Sequence, residues 1–589
     1  MNSISTPSKS RPMPDWAKHT LMIAPLLVLL LGFLVYPVGK LLVLSVLGDE
    51  GFSLAAYRQL FASRLYINVL WITLKISLIT TVLSVVLAYP VAYLISIAGP
   101  RTKGRLIFWV LLSFWMSFLV RAFAWVVILG RTGVVNQFLL SIGVIDRPAN
   151  LLYGLGAVVI GMVHAMLPLA VLTMLAVMEN IDRNLPRAAT TLGARPGSAF
   201  WTVYFPLSMP GVAAAAIMVF VTAIGFFIVP ALLGGRFETM ITQLIIDQVQ
   251  QTLNWGLAGA ISVLLLTVVL LVFVIYDRIF GFATLTGGAP STAINRDTAA
   301  RRAGGKVLAF LGSASDALLR LSPTRRRSVD ANHTPLLLRV FVWTILVLIS
   351  LPAFLMVPLS FSDAGLNWPP SGFTTDWYRQ MWEAPVWTQA LWRSITVALG
   401  AGVLSMLIGI PAAFLLARAE IRGKTALLAF VLSPIVAPRM IIAVGLFYVF
   451  AELNLVGSAL GLIIGHTVVC VPYVVMTMVA VLRNYDTRLD LAAQSLGARP
   501  IKALIHVTFP ILAAGMFSAF LFAFATSFDE LTISLFSSGG LNATLPKQFW
   551  DEVTLQVSPV IAAVSTCLLV FISVLIFVAD RLRRRGMAH

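Results

Sequence analysis

Charge is scarce in this chain. Only 11% of its 589 residues are Asp, Glu, Lys or Arg, and it has two cysteines and six histidines. A soluble domain keeps roughly a quarter of its residues charged, so a conventional solvated surface is excluded. Cys470 and Cys567 both stand inside apolar runs, where they read as small core residues and exclude a disulfide framework. His164 and His466 have no Cys or carboxylate companions at metal-ligand spacing, which favours core or pore packing over ligation. Gly423-Lys424-Thr425 ends like a phosphate-binding loop, yet Arg418 stands where that loop needs its first glycine. No nucleophile with a positioned base can be assembled, so no enzyme is expected on this chain, and no cofactor.

What is abundant is apolar length. Hydrophobic residues make up 59% of the chain, in runs of about twenty that suit a bilayer core. The expected fold is an all-α polytopic membrane protein with twelve spans near 20–47, 67–98, 105–130, 151–178, 206–233, 256–279, 336–361, 389–417, 425–451, 457–482, 511–536 and 556–579. The first span lacks a clear small-residue cleavage site and reads as retained rather than as a signal peptide. The net charge of +18 follows from topology: with the N-terminus inside, about 30 of the 42 Lys and Arg fall on the cytoplasmic side, obeying the positive-inside rule. Both termini are then cytoplasmic, and nucleic-acid binding is not needed to explain the charge. The outer loops carry about 11 carboxylates against about 7 Lys and Arg, an entrance mildly favourable to cations.

Sliding the chain on itself exposes one unit used twice. "GFSLAAYRQLF" from Gly51 matches "GFTTDWYRQMW" from Gly372 at an offset of 321, and "RAATTLGARPGSAFWTVYFPL" from Arg187 matches "LAAQSLGARPIKALIHVTFPI" from Leu491 at 304. Six spans per half is even, so the halves enter the membrane the same way up, as parallel repeats. The expected domains are residues 1–280, a basic cytoplasmic linker 281–335, and 336–589. The linker reads as flexible. Within it "KVLAFLGSASDALLRL" has apolar residues near helical spacing and either lies on the membrane surface or is disordered.

The matched polar loops lie between the fourth and fifth spans of each half, and each reads as helix, glycine break, helix. They resemble the EAA motif of permeases in binding-protein-dependent ABC importers. Ala188, Ala189, Gly193 and Arg195 fall on the motif in one half, Ala492, Ala493, Gly497 and Arg499 in the other; Arg187 and Leu491 replace its opening glutamate. The resemblance implies two permeases fused end to end in a bacterial inner membrane. It further implies coupling loops that dock on a separate ATPase, expected as a dimer holding ATP and Mg, and a periplasmic solute-binding protein that delivers a small solute. "LVRAFAWVVILG" and "GFFIVPALLGG" in the first half, with "SFDELTISLF" and "LPKQFWDEV" in the second, are similar to the spermidine/putrescine-type permease pair. The implied solute is a polyamine or related amine; an aminophosphonate, an opine or ferric iron is the alternative. Twelve spans in parallel halves also suit a secondary transporter of the major facilitator type, but "GPRTKGR" and "RAEIRGK" are only generic basic turns.

Ionisable groups within spans cost roughly 2.5–3.5 kcal/mol each on insertion scales and invite a functional reading. Lys40, Lys75 and Arg393 lie near span ends and can snorkel to the interface. At the repeat offset Asp529 and Glu530 align with Gly225 and Phe226 of the first half, so the halves differ there. With Arg121 and Arg439 they are the candidate translocation-pathway residues. Alternatively, the acids pair with Arg121 or Arg439 and hold the structure together.

Overall fold

The computed structural model describes residues 15–48, 51–280, 299–321, 335–363, 365–555 and 557–586. Residues 1–14 and the linker stretches 281–298 and 322–334 lie outside the described residues. Nearly everything described is helix; the strands are the two-residue pair Leu47–Gly48 and Gly51–Phe52. Among the described residues ten helices are long and apolar enough to cross a membrane. The bent pair Lys424–Val436 and Arg439–Glu452 makes an eleventh if counted as one, and Val560–Leu575 is a shorter apolar helix.

The two offsets hold in three dimensions almost to the residue. Arg64–Ile97 corresponds to Pro385–Arg418 at 321, and Asn184–Thr191, Pro196–Ala199 and Phe205–Ile224 correspond to Arg488–Ser495, Pro500–Ala503 and Phe509–Phe528 at 304. The wider turn before each fifth span recurs too, as the π-helical segments Phe200–Tyr204 and Leu504–Thr508. Boundaries coincide because their chemical causes do: Pro196 and Pro500 start helices at a position whose N–H is unused. Even a tertiary bond repeats. Thr73 Oγ1 accepts the Ile241 amide at 2.9 Å, and Ser394 Oγ accepts the Leu545 amide at 2.7 Å, each tying a helix start to the long span of its own repeat.

Four expected spans are not single helices. The 105–130 span breaks into Pro100–Trp115 and Phe118–Leu129, and 425–451 bends by 89° between Val436 and Arg439. The 206–233 and 511–536 spans end at Ile224 and Phe528 and resume as short helices Ile228–Leu233 and Thr532–Ser537. Hydropathy averaged over a span does not resolve these breaks, although Asp529 and Glu530 stand at one of them and Pro438 at another.

Packing divides the chain differently from the repeats. One compact unit combines Met1–Val43, Ala384–Gln548 and Phe577–His589; the other combines Leu44–Glu383 and Phe549–Ile576. In the first, the leading helix lies on Arg439–Glu452, with Phe33 beside Phe450 and Lys40 Nζ 3.8 Å from Glu452. In the second, Leu336–Leu359 packs on first-repeat helices, and the carbonyl of Ile349 meets Ser113 Oγ at 3.2 Å and His164 Nε2 at 2.9 Å. Each unit thus includes a leading span from the opposite half of the chain.

Gly445 shows how close the first of these contacts is. A Cβ there would stand 2.8 Å from the carbonyl oxygen of Pro37 and 2.9 Å from its carbon, backbone atoms that cannot swing aside. Gly39, close by on the leading helix, has nothing within 4 Å of such a Cβ. Gly445→Ala is therefore expected to cost about 1–3 kcal/mol, and Gly39→Ala less than about 0.5 kcal/mol. Thermal melting of the purified chain checks both; equal melting temperatures would mean that the leading helix is not seated there.

Candidate functional site

The matched loops share one backbone construction. In the first, the helix Asn184–Thr191 ends at Leu192 and Gly193 takes φ +95°. Gly193 N–H donates to the Thr190 carbonyl at 3.1 Å and Ala194 N–H to the Ala189 carbonyl at 3.0 Å, the paired bonds of a Schellman cap. In the second, Gly497 takes φ +88°, its N–H reaches Gln494 at 2.9 Å, and Ala498 N–H reaches Ala493 at 3.1 Å. Arg195 and Arg499 then extend, as a residue before proline must, and the next helix starts.

These bonds give the motif positions separate tasks. Ala189 and Ala493 accept the long cap bond, the glycines supply the left-handed turn, and Ala188 and Ala492 lie exposed on the helix surface. Neither short helix has a buried residue. Each loop also presents a leucine at the turn, Leu192 and Leu496, exposed by 89% and 90%. An apolar side chain held out this far, twice at one repeat position, has the form of an anchor for a partner. The two leucines were visible in the shared Leu-Gly-Ala-Arg-Pro string, and only their exposure was not.

Asp490 gave no signal in the sequence. Its carboxylate accepts from Tyr485 Oη and Thr508 Oγ1, both at 2.7 Å, and from Arg418 at 3.0 Å. It thus joins the second loop's short helix to the π-helical segment behind it and to the end of Pro385–Arg418.

The intramembrane charges separate into two places. Arg121, buried in one unit, donates to the Ala165 carbonyl at 3.3 Å and lies over the Phe118 ring at 4.4 Å. In the other unit Glu530, 1% exposed, accepts the amides of Thr532 and Ile533 at 3.0 and 2.9 Å and so caps the helix resumed after the fifth-span break. His466 Nε2 lies 3.6 Å from the same carboxylate, and Arg439, whose charge acts on Glu530, contacts Tyr473 Oη at 3.4 Å. Asp529, at the C-terminal end of the helix Phe509–Phe528, is half-buried. Among the described residues no cluster of His, Cys, Asp and Glu could hold a metal.

Burial tends to raise the Asp490 carboxyl, but the hydrogen bonds from Thr508 and Tyr485 and the Arg418 charge outweigh it and hold the group below its usual 3.8. A depressed folded-state value means that the stabilisation is complete above the unfolded value and is lost as pH falls through the folded one. Asp490→Asn should therefore destabilise the chain at pH 7 by about 1–2 kcal/mol, and the deficit should close only below pH 3.8. Melting temperature against pH for both forms checks this; a gap that closes near pH 6 would implicate another group.

Residues 88–281 and 405–586 each match the family described as the binding-protein-dependent transport system inner membrane component. The spermidine/putrescine transport system permease protein PotB of Haemophilus influenzae is 32% identical over 44% of this chain and 90% of its own length. PotC of the same organism is 29% identical over 42% and 96%. A solved bacterial alginate ABC transporter in complex with its pentasaccharide-bound periplasmic protein is 19% identical, covering 46% of this chain and 97% of that one with a TM-score of 0.41. With two matched regions, helices that recur in register and two loops of one design, the chain belongs to the inner-membrane permeases of binding-protein-dependent ABC importers, as a fused pair in a single polypeptide.

Proposed function

We propose that this permease imports a polyamine or a closely related amine across a bacterial inner membrane, driven by a separate ATPase dimer that carries ATP and Mg and docks on the two loops. The observation that carries the coupling part is the pair of capped, leucine-tipped helices, each followed after its glycine turn by the helix that becomes a fifth span. Pro196–Ile224 and Pro500–Phe528 run unbroken from the loop into the membrane segment, so a displacement at the loop reaches the span without crossing a flexible joint. Similarity to both PotB and PotC supports the solute class. The excess of Lys and Arg in the segments expected inside supports cytoplasmic loops and termini, and with them a solute-binding protein on the periplasmic side.

Driving a population from 1:99 to 99:1 takes about 5.5 kcal/mol of differential binding, which ATP-dependent closure of a bound ATPase can provide. The loops must be stiff to pass that on. Of the charged groups, Asp529 is proposed to meet the solute cation, whereas Glu530 serves chiefly as helix cap and partner of His466 and Arg439.

Three outcomes test this reading. ATP-driven uptake of spermidine or putrescine is expected when the chain is reconstituted with its copurifying ATPase and binding protein, and uptake of an aminophosphonate or ferric iron alone would overturn the solute class. Gly193→Pro and Gly497→Pro, at φ values proline cannot adopt, should leave insertion intact while reducing uptake and ATPase binding at least about tenfold, given a strain of about 1–3 kcal/mol. Normal uptake in both would remove the coupling assignment. Asp529→Asn should lower uptake more than it lowers melting, and Glu530→Gln should lower melting by removing one of two buried, satisfied acceptors; the reverse pattern would exchange their roles.

A further inference from the structure

The helical spacing within the linker is realised as the helix Ala299–Leu321, and it is seated on the helix start after the first loop. Asp316, 4% exposed, accepts the Gly197 amide at 2.8 Å, the Ser198 amide at 3.1 Å and the Ser198 hydroxyl at 2.5 Å. Its neighbour Ser315 accepts from Trp201 Nε1 at 2.9 Å. The two amides are free donors at the start of the helix after the first loop's turn, just where an acidic cap stabilises most.

Glycine on both sides permits the approach. A Cβ on Gly197 would fall 2.7 Å from Asp316 Oδ1 and 3.0 Å from Ser315 Cβ; one on Gly312 would fall 3.1 Å from Ser198 Cα. The second repeat lacks this arrangement. At the positions of Gly197, Ser198 and Trp201 it has Ile501, Lys502 and Ile505, and Ile501 is 71% exposed. Conversely Asp490, which ties the second loop to the segment behind it, is matched in the first repeat by Pro186, which can accept no such bonds through its side chain.

We infer that Asp316 is a positioning residue for the first loop: the linker returns a carboxylate to the repeat that lacks its own, so that both loops meet the ATPase equally preorganised. The fusion thereby does more than keep two permeases together; it supplies part of the coupling apparatus of one of them. This rests on the coupling role proposed above for the loops. A brace of this kind acts on binding by reducing the ordering that docking would otherwise require.

The test uses the full chain in nanodiscs, with hydrogen exchange read at residues 196–204 and 500–508 and with the copurifying ATPase titrated onto it. Asp316→Ala is expected to speed exchange at 196–204 roughly fivefold, the usual scale of a lost cap, to leave 500–508 unchanged, and to weaken ATPase binding by a similar factor. Gly197→Ile, which installs the second repeat's residue and displaces the linker helix sterically, should do the same by an independent route. Asp316→Asn keeps an acceptor toward Gly197 and should fall between. Unchanged exchange in Asp316→Ala and Gly197→Ile would overturn the brace, and faster exchange with unaltered ATPase binding would overturn its positioning role. If Gly193→Pro and Gly497→Pro also left ATPase binding unaltered, the fault would lie with the coupling assignment itself.

Discussion

Inside a bilayer a backbone amide or carbonyl has no water to turn to, and each one left unpaired costs several kcal/mol. Helices satisfy the requirement automatically along their length, so the informative places are where they stop. At the break after Trp115, Ser117 Oγ accepts the Leu119 amide. At the break after Ile224, the Phe226 carbonyl takes the Thr242 hydroxyl at 3.1 Å. At the corresponding break after Phe528, Glu530 takes the amides of the next helix. The side chain at each break is chosen by the backbone group it must satisfy, which is why a glutamate can sit 1% exposed within an apolar segment.

The same accounting explains the loops outside the spans. A Schellman turn closes each short helix with its own carbonyls and leaves a leucine and an alanine exposed. Beyond the turn a new helix starts with free amides, and its surroundings differ between the repeats. Asp490 acts from within the second repeat, on the side chains of Thr508 and Tyr485; Asp316 acts from the linker, on the amides of Gly197 and Ser198. Each loop is thus tied to its surroundings by one carboxylate, through different bonds and from a different place in the chain.

Much of this was legible in the sequence because local chemistry fixes it. Pro196 and Pro500 mark helix starts, Gly193 and Gly497 mark left-handed turns, and their equal spacing sets the repeat register that the helices keep. The hidden features depend on partners distant along the chain. Asp316 lies 119 residues from Gly197, and its segment has a composition equally suited to a tether. The exchange of leading spans rests on contacts such as Gly445 with Pro37, which no periodicity encodes. Asp529 and Glu530 stand out as intramembrane acids at the break itself, but that Glu530 turns back to take the amides of the next helix is not written in the pattern.

The central claim is that ATP-derived motion enters through both leucine-tipped loops. Its most direct measurement is cross-linking from single cysteines at Leu192→Cys and Leu496→Cys, with Cys470 and Cys567 replaced by serine, to the ATPase subunit that copurifies with the chain. Both positions should cross-link to the ATPase in high yield, with yields that change between nucleotide-free and ATP-bound complexes. An ATPase that binds the chain stably while neither position cross-links to it would contradict the account.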